Sequence, residues 1–467
     1  MISYFPNLIS RKAIAFYFIT LLIVSVVFFD NVLPFVWMLF GAAEVMLFFY
    51  FSNQLSKQWH DMPTSVFTKR LLWTSLGIRL VYMVFVYFFY DYMTGQPFMF
   101  HTGDEQLYYN LSGFWREKGW EAFQNEMKWF PISDSGEIYI MAFLNLLFGR
   151  WILTTRIAHC LFSALTCVLV YRIAKRHFGD GTGRMAAIFC MLMPNLVYYC
   201  GTHLKEVEMV FFTLLLVDSV DVLLGSSKLD WKSFLVALGS SFALFTFRTA
   251  LGAVGLIAVL VALVLNRGQL TSKWKRIGLA VFVVAAMSMT TIGNRLWLEV
   301  SQMMDEGGQN QSVGMEYRSM RVGGNSLAKN ASAMVFAPVI FTLPFASMVY
   351  TENQENQQML NGGNFVKNVM SGFTIFGIVL LLLKGDWRKH VLPLTLTVGY
   401  LVVMAFSNFA HSERFHQPAL PFELMFAAYG ISQLQRKHVK WIDYWMIFVM
   451  AANVGWAWFK LAGRGLV

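Results

Sequence analysis

Apolar runs long enough to cross a lipid bilayer recur along the whole chain and leave it few ways to fold. A spanning helix needs about 20 mostly apolar residues, because the hydrocarbon layer is roughly 30 Å thick and a helix rises about 1.5 Å per residue. Such runs fall at 14–29, 32–51, 71–93, 151–171, 185–200, 207–224, 233–247, 249–265, 277–293, 365–383, 391–410, 415–435 and 441–459. Only 14% of the 467 residues are charged, against about 25% in an ordinary soluble domain. The chain therefore reads as an all-α polytopic integral membrane protein of about 13 transmembrane helices. Two further apolar stretches, 138–149 and 331–349, do not declare themselves by length.

The formal net charge is +10, which in a soluble protein would raise nucleic-acid binding. Here the basic residues sit in short loops between apolar runs: Arg11-Lys12, Lys57 with Lys69-Arg70, Arg172 to Arg184, Lys228 with Lys232, Arg267 to Arg276, Lys384 to Lys389, and Arg436 to Lys440. Loops of this kind face the cytoplasm, and no nucleic-acid partner is expected. All of them share one side if 138–149 and 331–349 do not cross the membrane. Pro338 and Pro344 fit a broken, non-spanning piece. The four cysteines lie in apolar runs without metal-like spacing and read as small core residues. Ile14–Phe29 follows Arg11-Lys12 but lacks a small-residue cleavage site, so it reads as a retained span.

The opposite face then gathers the polar chemistry. Its first loop opens with HTGDEQLYYN at 101–110, where Asp104 and Glu105 adjoin an apolar segment. Acids at the edge of a membrane bundle are costly and call for a reason. A helix over 104–118 would put Asp104, Tyr108 and Leu111 on one face and lie along the interface on Trp115, Trp120 and Phe123. Asp104 can also cap that helix, a role compatible with chemistry. Later turns on this face supply His203, Lys205 and Glu206, then Arg248, then His411, Glu413, Arg414 and His416. Lys205 and Glu206 can equally be an anchor pair at the end of a span. Acids can serve as a general base or hold a metal, while Arg and Lys suit a phosphate. A hydroxyl acceptor attacking a sugar on a lipid-linked phosphate would use this set.

In their order these features resemble the C-type glycosyltransferase superfamily (GT-C), and within it the branch of protein O-mannosyltransferases and the lipid A aminoarabinose transferase. The order is a span with Arg79, then GDE with Tyr108-Tyr109, and a helix ending Leu147-Phe148-Gly149. A basic loop with Phe178-Gly179 comes next, then Lys205-Glu206, Arg248 at a hairpin tip, and Glu413-Arg414 before Pro418 and Pro421. The resemblance covers roughly residues 70–435. It implies Asp104 as the first-loop acid, with Glu105 as its support, Glu206 as the later acid, here preceded by Lys205, and Arg248 and Arg414 as the cations. Two features depart from that pattern: the extra hairpin over 14–51, and the lack of a folded acceptor-binding domain after the last spans.

The expected organisation is an N-terminal two-helix hairpin over 1–70 and a transferase core over 71–293 with its first outer loop at 94–150. A flexible outer loop over 294–364, suited to act as a lid, and C-terminal transmembrane helices over 365–467 complete it. The expected function is an inverting transfer of a sugar from a polyprenyl-phosphate carrier to a glycan, lipid or protein acceptor. The site would lie on the periplasmic or outer face of a bacterial inner (plasma) membrane. Asp104 and Glu105 are the expected catalytic residues; Lys205, Glu206, Arg248, Arg414, His203 and Tyr108 are the expected contacts to donor and phosphate. No cofactor is required by spacing, though Asp104, Glu105, His411 and His416 could hold a divalent ion such as Mg or Mn. A lipid-linked polysaccharide polymerase or ligase and a flippase of lipid-linked sugars use overlapping residue types.

Overall fold

The computed structural model describes residues 4–101, 103–226, 230–265, 337–405 and 412–467, with isolated positions at 278, 280 and 281. Among the described residues the fold is all helical. In chain order the helices are α1 (Asn7–Val27), α2 (Phe35–Gln58), α3 (Thr64–Thr94), α4 (Gly103–Lys118), α5 (Trp120–Met127), α6 (Ile132–Phe148), α7 (Ile152–Phe178), α8 (Asp180–Leu192) and α9 (Pro194–Tyr198). After these come α10 (Glu206–Gly225), α11 (Trp231–Phe247), α12 (Thr249–Leu265), α13 (Glu355–Met359), α14 (Asn361–Leu383), α15 (Val391–Ala405), α16 (Glu413–His416), α17 (Leu420–Ser432) and α18 (Val439–Ala462).

Six of them, α1, α2, α3, α7, α14 and α18, are long and apolar enough to cross a membrane, and α11, α12 and α17 are shorter apolar helices. The expected count of 13 spans is not confirmed. The run at 185–200 is broken at Pro194 into α8 and α9, and α10 carries two acids near each end. The expected span at 277–293, all but three of its residues, and the part of the expected 294–364 loop before residue 337 lie outside the described residues.

The break at Pro194 has a visible cause and a visible remedy. Proline has no N–H and clashes with the preceding turn, so α8 stops and its last carbonyls lose their helical partners. Arg79, wholly buried in α3, supplies replacements: its guanidinium donates to the carbonyls of Cys190 and Met191 at 3.4 and 3.3 Å. It also donates to Ser163 Oγ on α7 at 2.6 Å. One side chain thus joins three helices.

α10 sets the axis between the two polar ends of the bundle. Near its last turns Asp218 receives Arg172 at 2.9 Å and Arg176 at 2.5 Å, and Asp221 receives His177 at 2.8 Å. Its first turn holds Glu206 and Glu208. Ten to fifteen helical residues separate these groups, a distance of about 15–22 Å. The basic loop after α7 and the acids opening α10 therefore lie at opposite ends of the bundle.

Two close crossings hold the C-terminal half. A Cβ on Gly377 of α14 would stand 2.3 Å from the Phe426 carbonyl of α17, and one on Gly430 would stand 2.3 Å from the Phe373 carbonyl. Glycine at both points lets the backbones touch, as at small-residue crossings of membrane helices. The same device joins α2 to α14, where a Cβ on Gly362 would meet the Gly41 carbonyl at 2.3 Å. Glu44 of α2 accepts from Gly363 N–H at 2.8 Å there, a carboxylate at a helix N-terminus. The N-terminal hairpin is thus packed into the bundle.

The described part of the ambiguous piece at 331–349 is not a helix beyond a single turn at Ala337–Val339. Its buried backbone is satisfied by side chains. Asn368 donates to the carbonyls of Thr342 and Pro344 at 2.5 and 2.9 Å, and Asn453 accepts from Ala346 N–H at 2.7 Å. Irregular backbone is tolerated in a membrane protein only where protein groups complete it in this way.

Candidate active site

α4 starts with Asp104 and Glu105 in its first turn and ends with Arg116 and Lys118 in its last, the arrangement a helix dipole favours. Its buried face includes Glu105, Tyr108 and Ser112, of which Tyr108 and Ser112 bond residues of α6. The expected face of Asp104, Tyr108 and Leu111 is rotated: the two adjacent acids part company. Glu105 turns wholly inward, and the Asp104 side chain stays 54% exposed.

Asp104 reaches a residue 310 positions away. Its Oδ2 accepts from Arg414 Nη1 at 2.6 Å, and the Nε of the same guanidinium donates to Glu206 Oε1. Glu206 is buried, and its second oxygen has no hydrogen-bond partner. Beside this bridge, Lys205 donates to Asp134 of α6 and to the Ser133 carbonyl at 2.9 Å. Tyr108 donates to the same Asp134 at 3.4 Å. Arg248, in the link between α11 and α12, lies over the Phe415 ring at 3.8 Å, next to Arg414. Burial lowers the Lys205 amine below its usual range, with Asp134 opposing and the Arg248 charge adding to the effect. Burial and then the charge of Asp134 raise the Tyr108 hydroxyl. Arg414 is held in its charged form by Glu206 and Asp104 against the cost of burial. The chain thus gathers Asp104, Tyr108, Lys205, Glu206, Arg248 and Arg414 from four separated stretches.

Glu105 and His203 form a layer behind this group. Glu105 Oε1 accepts from His203 N–H at 2.7 Å and from Arg156 Nη2 at 3.1 Å, and Oε2 accepts from Met99 N–H at 2.8 Å. Both oxygens are committed, and the side chain is fully buried. His203 is equally buried and takes a hydrogen bond from Arg156 Nε at 3.3 Å. Burial and the neighbouring Arg156 charge hold it well below its usual pKa. His416 pairs with Lys367 at 3.0 Å. His411 lies outside the described residues. Asp104, Glu105 and His416 each bond the partners given above. The trio whose ligand atoms lie within 4.8 Å of one another is Glu137, His159 and Glu208.

Several participants escaped the sequence reading. Asp134, the partner of Lys205, sits at the start of a helix whose limits the apolar pattern did not give. Arg156 and His159 stand inside the run 151–171, and ionisable residues within a span are a signal in themselves.

An apolar cavity of about 860 Å³ adjoins the site. Ile132 and Ser135, which flank Ser133 and Asp134, line one wall, and Phe212 of α10 with Phe242, Ala243 and Phe247 of α11 line another. This volume falls in the range of small-molecule sites, and its walls suit a hydrocarbon chain.

Residues 137–292 match the model of the dolichyl-phosphate-mannose-protein mannosyltransferase family. The matched segment includes Lys205, Glu206 and Arg248, while Asp104 and Arg414 lie outside it. A search of curated proteins finds no match to the chain. The likeness read from the motifs is met over this segment, about a third of the chain, and the long apolar helices fit an integral membrane protein.

Proposed function

We propose that this membrane glycosyltransferase takes its sugar from a polyprenyl-phosphate carrier and passes it, with inversion, to an acceptor hydroxyl. Asp104 acts as the general base. The observation that carries this reading is the exposed Asp104 carboxylate bound to Arg414, whose other arm holds buried Glu206, all beside an apolar cavity.

Asp104 takes the acceptor proton as the hydroxyl oxygen attacks the anomeric carbon. The bond from that carbon to the phosphate oxygen breaks, and its electron pair leaves on the carrier phosphate. The phosphate gains one negative charge in this step, so cations fixed beside it stabilise the transition state more than the ground state. Arg414, Arg248 and Lys205 are those cations. Arg414 is bonded to Asp104; a donor phosphate that draws on Arg414 would release the carboxylate to act as base. Glu206 and Asp134 keep Arg414 and Lys205 aimed, and Tyr108 fixes Asp134. The cavity between α6 and α11 takes the first part of the isoprenoid chain. Glu105 supports the site by binding the His203 backbone and Arg156. The site lies at the end of α10 remote from the basic residues that close α7, which by the positive-inside rule supports a reaction on the non-cytoplasmic face.

The test is transfer from a radiolabelled polyprenyl-phosphate sugar to membrane acceptors. Asp104→Asn should lower the rate about 10²-fold or more, the usual share of a general base. Transfer at the wild-type rate in a well-expressed Asp104→Asn protein removes Asp104 from the base role. Requirement for a diphosphate carrier would favour a polymerase or ligase instead.

A further inference from the structure

We infer that Glu137, His159 and Glu208 form a binding site for one first-row divalent cation, of the zinc or manganese class, that locks α6 onto α7 and α10.

The three side chains come from three helices and are fully buried. His159 Nε2 lies 3.0 Å from Glu137 Oε1 and 3.1 Å from Glu208 Oε1. Its other nitrogen, Nδ1, lies 2.9 Å from the Thr202 carbonyl oxygen. A carbonyl can only accept, so Nδ1 carries a proton and donates. In the neutral ring Nε2 then presents a lone pair. This is the tautomer of a metal-binding histidine whose far nitrogen is fixed by a backbone carbonyl. Three acceptor atoms thus converge with no donor between them, and something positive must stand there.

A proton on Nε2 meets only part of that demand. It can be given to one oxygen well, and the hydrogen-bond geometry is met by Glu137 Oε1. Both oxygens of Glu208 and the second oxygen of Glu137 then have no hydrogen-bond partner, although all are sealed from solvent. Two carboxylates with one imidazolium also carry a net charge of −1, and uncompensated buried charge is heavily penalised. One divalent cation resolves both defects. It cancels the two carboxylate charges against a neutral imidazole and contacts all three donors. Ligands about 2.0–2.2 Å from zinc and held at angles near 90° to 100° stand roughly 3 Å apart, the distance from Nε2 to each of the two oxygens. One imidazole with two carboxylates is a borderline-to-hard set, which suits zinc or manganese better than a thiolate-seeking ion.

The position explains what such an ion would do. Glu137 follows Asp134, the partner of Lys205, by three residues on α6. Thr202 precedes His203, whose amide binds Glu105. Fixing the trio therefore fixes the register of α6 against the turn that carries Lys205 and Glu206. The ion is set behind the reacting groups, so the inference stands apart from the assignment of Asp104.

The full-length protein, purified in detergent without chelator, is measured for bound zinc and manganese by plasma mass spectrometry. About one equivalent of a single metal is expected, since ligands that converge only on folding bind the ion as part of the fold. Stripping with a strong chelator should lower the thermal midpoint, and adding back that metal alone should restore it. Cobalt soaked into stripped protein should show ligand-field bands. Glu208→Gln, which keeps the volume, should lose the metal and the response to it, while Asp104→Asn should keep both. Metal that persists in Glu208→Gln is adventitious and overturns the site. The site is also overturned if stripped wild type gains no stability from either ion and Glu208→Gln raises the midpoint. That outcome marks a trio sharing protons.

Discussion

Arg414 is bonded to two acids in very different surroundings, and the difference predicts how each member of the bridge responds to removal. Asp104 is 54% exposed, so its ion pair is screened and worth roughly 0–1 kcal/mol. Glu206 is 1% exposed, and Arg414 is the partner of its one satisfied oxygen. Cutting a buried ion pair by deleting one partner costs about 3–5 kcal/mol, because the other charge is left without compensation. Arg414→Ala should therefore destabilise the protein by about that amount, and Asp104→Asn by no more than about 1 kcal/mol. Glu206→Gln should relieve most of the penalty in the Arg414→Ala background, giving a coupling energy of at least about 2 kcal/mol. Unfolding in mixed micelles titrated with a denaturing detergent gives the three differences on one scale. The reasoning fails if Arg414→Ala stays within about 0.5 kcal/mol of wild type, or if the two changes simply add. Activity should follow a different order. Asp104→Asn loses transfer while folded, which separates a chemical role from a structural one.

Glu105→Gln should behave in the opposite sense to Asp104→Asn. It leaves Arg156 buried without its counter-charge, so folded yield and thermal midpoint should fall, and transfer per folded molecule should fall far less. Ala243→Trp would fill part of the cavity beside Asp134. It should raise the KM for long polyprenyl carriers tenfold or more, since tenfold is about 1.4 kcal/mol and fewer than two buried methylenes supply that. Carriers truncated to one isoprene unit should be little affected. Arg79→Met would remove the donors to Cys190 and Met191. Two buried carbonyls left unmet cost about 2–6 kcal/mol together, enough to lower membrane accumulation in a fluorescence-tagged expression assay.

The apolar runs and the turn residues made much of this legible in advance. The long helices α1, α2, α3, α7, α14 and α18 follow from hydropathy alone, and Arg79, Lys205, Arg248 and Arg414 stand out as cations in or beside such runs. Hydropathy could not see the break in 185–200, because Pro194 is a single residue in an apolar stretch and its repair comes from Arg79, more than a hundred positions away. Neither could it separate Asp104 from Glu105. Adjacent acids look alike in sequence, and only the 100° turn between neighbours on a helix sends one to Arg414 and the other to Arg156. Glu137, His159 and Glu208 were hidden for a related reason. They stand on three different helices, and nothing local says that those helices will bring them to one point.

The irregular stretch from 340 to 351 has a consequence for how the protein is made. Its backbone is completed by Asn368 on α14 and by Asn453 on α18, and Lys460 on α18 donates to the Ser347 side chain at 2.5 Å. All of these residues leave the ribosome after the stretch itself, the last of them by more than a hundred residues. Until they arrive the stretch has polar groups that lipid cannot satisfy, so it must wait at the water interface or against a chaperone. Docking of α18 brings the last of these partners, Asn453 and Lys460. A ribosome stalled before α18 would leave a nascent chain in which Ala346 N–H and Ser347 Oγ still lack these partners.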